Sequence, residues 1–300
     1  MTRYFVPWGP REKIYYGLMF SPGINGVLPW HDWYPALSPL ITSVFPFSLI
    51  KPGDTAIQVG ASRHMIPLRG ASHPFVMSEC VGPNGRVIAV ESLRVNVDAF
   101  EEAKLVAHKP WIEMVYCAAS DHPGEIEGID YEGQSFFWDP RTDVHSSERD
   151  SAHACPELKT LWDQVFRGGA KSVVPSERLE AICAAKGVTP SLVHLTINGY
   201  EPVGIRGLGR LLEGDIMIAF PVRATEVFWH TGFFEELEDL GFTLVFSNTP
   251  HAENYAWFPT VTAMRPHQLN RIEGLIPGQF VLDEQTQIIT FEDNNGKRMA

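Results

Sequence analysis

The stretch TAIQVGASRHM, residues 55–65, runs as an apolar strand into Gly60, Ala61 and Ser62 and then meets Arg63 and His64. A glycine just past a strand lets main chain approach a ligand with no Cβ in the way. Gly60, Ala61 and Ser62 are therefore candidate cofactor contacts. A second apolar run, VGPNGRVIAVES, closes in Glu91 and Ser92. A carboxylate at such a place can accept both hydroxyl hydrogens of a ribose, or cap the helix that follows. The glycine turn upstream favours the ribose. A third run, IEMVYCAASD, ends small and polar at Ala119, Ser120 and Asp121, suited to border an adenine edge.

The dinucleotide fingerprint G-x-G-x-x-G is absent, as is G-x-x-x-x-G-K-[ST]. No glycine-rich helix start is offered to a pyrophosphate or triphosphate. A ligand with adenine and ribose but no phosphate fits better, and S-adenosylmethionine is the commonest such molecule.

The elements that must position these residues read as an α/β domain. From Lys51 onward, strands alternate with helical stretches at about 94–107, 176–186, 203–213 and 231–240. That alternation predicts a doubly wound, mostly parallel sheet with helices on both faces. FTLVFS and AWFPTVTAMR have no helix between them, so they are expected to pair antiparallel at one sheet edge. The expected organisation is an irregular arm at 1–48 with a short helix through 36–46, a main domain at 49–270, and an extension at 271–300 with a strand–turn–strand pair. The interval 122–172 is too long for an unstructured loop and is expected to be a lid or a small subdomain.

Composition bounds the partners. There are 24 Lys+Arg against 36 Asp+Glu, a formal charge of −12, which repels nucleic acid. The first residues lack a secretory pattern, and the longest nearly apolar run, Ala36–Ile50, is broken by Pro39 and Pro46 and is too short to span a bilayer. A cytoplasmic protein directed at a small molecule is the expectation, with the aromatic arm available to bury itself against a second copy as a homo-oligomer. Cys80, Cys117, Cys155 and Cys183 lie far apart, so reduced core thiols are expected, with neither disulfides nor a metal site. His31 and Asp32 in PWHDWY are read as packing or as a wall of the acceptor pocket. Asp150, His153 and Cys155 are read as a solvated lid face.

Four segments, IKPGDTAIQVGAS, VGPNGRVIAVES, IEMVYCAASDHPGEI and SERLEAICAAKGVTPSLVHLTINGYE, resemble in order and spacing the FkbM-type methyltransferases, a branch of the class I S-adenosylmethionine-dependent enzymes. The resemblance covers roughly residues 49–215. It implies a seven-stranded Rossmann-like sheet with its last strand inserted antiparallel, and O-methylation of a sugar or natural-product hydroxyl. Two motifs depart from the family pattern. Gln58 stands for an acid and His64 for a glycine in the first loop, and Thr196 and Asn198 stand at acid positions of the fourth segment. Thr196 and Asn198 can position a hydroxyl but cannot take its proton near neutral pH. If a base is needed, His64 is the first candidate and His194 the second. The same departures leave open a methyltransferase-like scaffold that has lost turnover, or different chemistry in a retained pocket.

Overall fold

The computed structural model describes residues 2–7, 39–40, 42–61, 73–131, 134–137, 167–222, 232–247, 260–283 and 288–299. The chain opens with β1 (Arg3–Val6) and then alternates through β2 (Thr55–Val59), α1 (His73–Val81), β3 (Arg86–Glu91), α2 (Arg94–Val106) and β4 (Ile112–Tyr116). Next come β5 (Ala118–Ala119), β6 (Gly124–Tyr131), β7 (Gln134–Phe137) and β8 (Ala170–Glu177). Alternation resumes with α3 (Leu179–Lys186), β9 (Leu192–Leu195), α4 (Glu201–Arg206), β10 (Met217–Pro221), α5 (Phe233–Asp239), β11 (Thr243–Ser247) and β12 (Thr260–Met264). The chain ends in β13 (Ile276–Asp283), β14 (Ile288–Asp293) and β15 (Arg298–Met299).

Among the described residues, eleven strands share one sheet in the order β15-β14-β13-β1-β11-β12-β10-β9-β2-β3-β4. From β4 to β10 neighbouring strands run parallel, and β12 is antiparallel to both β10 and β11. This is the doubly wound architecture expected from the sequence. Its central strands are apolar on both faces because both faces are covered. Ile57, Val59, Ile88, Val90, Val193 and Leu195 enter one core, while Ala56, Val87, Ala89 and Leu192 enter the other. The chain proceeds from β2 to β3 and β4 on one side and returns to β9 and β10 on the other. That reversal of order falls at β2, and open sheets of this kind bind ligands beyond the carboxyl ends of the strands at such a point.

Several expectations need correction. The β11–β12 hairpin is not an edge: β12 is inserted beside β10, and β1 pairs in parallel along the outer side of β11. The first residues are thus a strand, four residues long and too short to show a period, and β13 pairs antiparallel with its other side. The two chain ends build one continuous sheet with the main domain. Of the helix expected over 36–46, only residues 39–40 are helical among the described ones, followed by turns and a 3-10 turn at Phe47–Leu49. Helix α1 is absent from the sequence expectation, because Pro74, Phe75, Val76, Met77, Ser78, Cys80 and Val81 are all buried and leave no polar stripe for a periodicity to reveal.

The segment after β4 is a second sheet, ordered β5-β8-β6-β7. One face of it carries Ile126, Phe137 and Val174 into the core. Further along that sheet the register sets Asp130 opposite Ser135, and Ser172 reaches Asp130 at 3.1 Å. The sheet therefore changes from apolar to polar along its length. No helix among the described residues is long and apolar enough to cross a membrane.

Candidate active site

Glu91 ends β3 and is 5% exposed. Its Oε2 accepts the main-chain N–H of Ala61 at 2.7 Å, and its Oε1 accepts that of Leu93 at 2.8 Å. Burial raises its pKa, and the hydrogen bonds from Leu93, Ala61, Asn96 and Ser92 oppose that rise. The carboxylate thus closes the turn after its own strand and ties it to the turn after β2. The two readings of the sequence meet here: Glu91 organises the entry to α2 and stands at the strand tip beside Ala61.

Gly60 has φ +80, and a Cβ there would lie 2.2 Å from the carbonyl oxygen of Thr196. Its glycine is demanded by the neighbouring loop of the protein itself, a requirement the sequence does not reveal. Ala61 is 3% exposed. Ser62, Arg63 and His64 lie outside the described residues, as do His31, Asp32, Asp150, His153 and Cys155.

Behind this turn lies a buried polar chain. Gln58 is fully buried, and its Nε2 reaches the carbonyls of Val59 at 2.9 Å and Gly60 at 2.8 Å and the Thr196 hydroxyl at 2.9 Å. With the amide nitrogen committed to acceptors, Gln58 Oε1 faces His194 Nδ1 at 2.8 Å, which assigns the proton to Nδ1. The imidazole packs edge-on to His73, with ring centroids 4.3 Å apart, and beside Phe47. Burial first and the neighbouring His73 second drive its pKa well below the ordinary histidine value. His73 itself is lowered to about 4 by burial. His194 is therefore a neutral structural donor. Burial thus works against proton uptake by this second base candidate.

The loop after β9 is organised in the same way. Thr196 Oγ1, approached by Gln58, lies 3.1 Å from the Gly60 carbonyl, to which it donates. Asn198 adopts φ 57, a left-handed conformation that asparagine tolerates, and its Nδ2 donates to the Ser135 carbonyl at 2.9 Å. Glu201 is fully buried at the start of α4 and accepts the N–H groups of Ile197 at 2.8 Å and Gly199 at 2.7 Å. Thr196 and Asn198, the residues expected to position an acceptor hydroxyl, hold loops together through these contacts.

Ala119 and Ser120 are buried where the chain crosses into the second sheet: the Ser120 N–H donates to the Glu177 carbonyl at 3.0 Å. The Ser120 carbonyl faces the end of α4, where a Cβ on Gly207 would lie 2.1 Å from it. Ser120 Oγ and Asp121 Oδ1 both converge on Nδ1 of His122, at 3.0 and 2.7 Å. A nucleophile–base–acid relay would need both ring nitrogens, so these three form no such relay.

Sequence reasoning missed Ser135. Its hydroxyl is 2.9 Å from Ser92 Oγ, its carbonyl takes the Asn198 amide, and it stands opposite Asp130, whose pKa burial raises. The second sheet thereby lands on the tips of β3 and β9. In the sequence it is one serine in the run QSFF, and nothing local marks it. The structure gathers Gly60, Ala61, Glu91 and Ser92 at one place, links Thr196 to Gly60 and Asn198 to Ser135, and sets His194 behind them.

No protein-family model matches the chain, and no curated protein matches it by sequence. Among solved structures, it is similar to a precorrin-6y C5,15-methyltransferase from Geobacter metallireducens, at 12% identity and TM-score 0.38 over 83% of this chain and 90% of that one. Aeropyrum pernix fibrillarin with natively bound S-adenosyl-L-methionine aligns at 12% identity and TM-score 0.39, over 78% and 76%. A SAM-dependent O-methyltransferase from Thermotoga maritima aligns at 12% identity and TM-score 0.40, over 80% and 72%. At such identities the likeness does not extend to which residues act or on what.

Proposed function

We propose that this chain binds S-adenosylmethionine across the tips of β2 and β3 and methylates a hydroxyl of a small molecule, as the FkbM-type enzymes its motifs resemble do. The observation that carries the reading is the Glu91 carboxylate, buried at the tip of β3 and held against the Ala61 N–H at the strand ends where the order reverses. These residues fit a nucleoside without phosphates. Glu91 and Ser92 would hold the ribose, and the Gly60–Ala61 turn would bound it from the side of β2. Such a cofactor, when bound, supplies a methyl group already activated by its cationic sulfur. The chain's task is then to orient an acceptor and exclude water, and positioning alone can supply much of the acceleration.

Calorimetric titration with S-adenosylmethionine and S-adenosylhomocysteine tests the reading. Saturable binding that Glu91→Ala abolishes supports it; absence of heat in folded protein removes it. A second reading, a protein that keeps the pocket but has lost turnover, is favoured by one observation. The polar atoms of Gln58, His194, Thr196 and Asn198 described above are turned onto the protein's own loops or each other. Cofactor binding without methyl transfer to any of a broad set of hydroxylated acceptors would select it.

A further inference from the structure

Glu91 receives four donors: the N–H groups of Ala61 and Leu93, the Asn96 side chain and, at 3.4 Å, the Ser92 hydroxyl. A carboxylate offers about four lone-pair sites, so this one is full only while the Ser92 hydroxyl donates to it. In that state a ribose hydroxyl must displace a donor to bind it. The two main-chain donors are fixed by the fold, and Ser92 makes the long contact. Ser92 also has a better partner, the Ser135 hydroxyl at 2.9 Å.

Ser92 carries a single hydroxyl hydrogen, which serves either Glu91 or Ser135 but not both. The geometry has Ser92 Oγ donating to Ser135 Oγ at 2.9 Å, with Asp130 directly opposite Ser135 in the register as an acceptor for the Ser135 hydrogen. Ser135 Oγ is therefore an acceptor toward Ser92. Its place is set by the β6–β7 register and by the Asn198 amide on its carbonyl.

Resting on the nucleoside reading above, we propose that Ser135 is a positioning residue supplied by the second sheet. It draws the Ser92 hydrogen away from Glu91, freeing one carboxylate site for one ribose hydroxyl and leaving a Ser92 lone pair for the other. The ligand this arrangement takes is a ribonucleoside with its vicinal diol intact. Without Ser135, the Ser92 hydrogen falls back on Glu91 and competes with the ligand.

The test is calorimetry with S-adenosylhomocysteine on the full chain and on Ser135→Ala, Ser135→Thr, Ser92→Ala and the Ser92→Ala/Ser135→Ala double variant, each with its ligand-free melting temperature. Ser135→Ala is expected to weaken binding about tenfold, the scale of one hydrogen bond to a charged acceptor. Ser135→Thr, which keeps the hydroxyl, should restore most of it. In the Ser92→Ala background the loss on removing Ser135 should vanish, an outcome that a merely structural role would not produce. Unchanged affinity in Ser135→Ala, or an equal loss with and without Ser92, overturns the proposal while the nucleoside site stands. No binding by the unaltered chain overturns both.

Discussion

Gly60 and Thr196, at the ends of neighbouring strands, approach so closely that a single added Cβ on Gly60 would sit 2.2 Å from the Thr196 carbonyl oxygen. The neighbour is main chain, and the glycine's φ of +80 is one that other residues adopt at a cost. Gly60→Ala is expected to destabilise the fold by about 2–4 kcal/mol, combining strain with displacement of the loop. Urea unfolding measures it, and a loss below about 1 kcal/mol would contradict the contact.

Glu201 is the second buried carboxylate that closes a loop, through Ile197 and Gly199. Glu201→Ala leaves two donors without that acceptor and is expected to cost about 2–4 kcal/mol. Glu201→Gln, which keeps one acceptor oxygen, should lose less. Equal losses in the two variants, again by urea unfolding, would sink the assignment.

The two enclosed histidines predict a pH dependence with a definite sign. His73 and His194 both have folded pKa values below the ordinary 6.5. The unfolded chain therefore binds more protons below that value, and stability falls as pH drops. Their contribution is complete above about 6.5 and, for His73, is lost down to about 4. Glu91, raised by burial, acts in the opposite sense, lowering stability as pH rises through its ordinary range and above. Unfolding free energies at pH 5, 6 and 7 should rise with pH in the native chain, and less steeply in His194→Asn. Identical slopes would refute the buried pair.

Arg3 clamps β1 to α5. Its Nε and Nη2 reach the two Glu238 oxygens at 2.9 Å each, Nη2 also meets Glu235 at 3.0 Å, and its guanidinium lies 4.8 Å from the Phe280 ring centre. Arg3→Ala should cost about 2–3 kcal/mol because Glu238 is left largely buried. Arg3→Lys should recover only part, since an ammonium cannot reproduce the forked contact. Full recovery with lysine would argue against that geometry.

Cys80, Cys117 and Cys183 are buried thiols, pushed up by burial to about 12, 12 and 11. At pH 8 iodoacetamide should leave all three unmodified in folded protein and label them once urea unfolds it. Peptide mass spectrometry reads the outcome, and rapid labelling of any one in the native state would contradict its burial.

How much of this was legible depends on the range of the interaction. The Glu91 position is visible locally, because a buried strand that ends in a carboxylate stands out against its apolar run. The side of β9 that carries His194 is equally visible from the strand period. That His194 donates to Gln58 is not, and a lone polar residue in a strand then reads as reactive. Ser135 sits in a short stretch whose role depends on strands from other parts of the chain. Helix α1 is silent for a different reason: buried nearly all round, it has no amphipathic pattern to detect.

The amino-acid order alone determined the alternation of buried strands and helices, and with it the parallel sheet. Burial selects residue types at every turn of chain, so that pattern is written locally. Only the tertiary structure decided which polar groups at the strand ends are already spent. Their partners lie 30 residues away for Glu91 and Ala61, 43 for Ser92 and Ser135, and 136 for Gln58 and His194. Hydrogen-bond satisfaction is a property of groups brought together in space, and no local pattern records it.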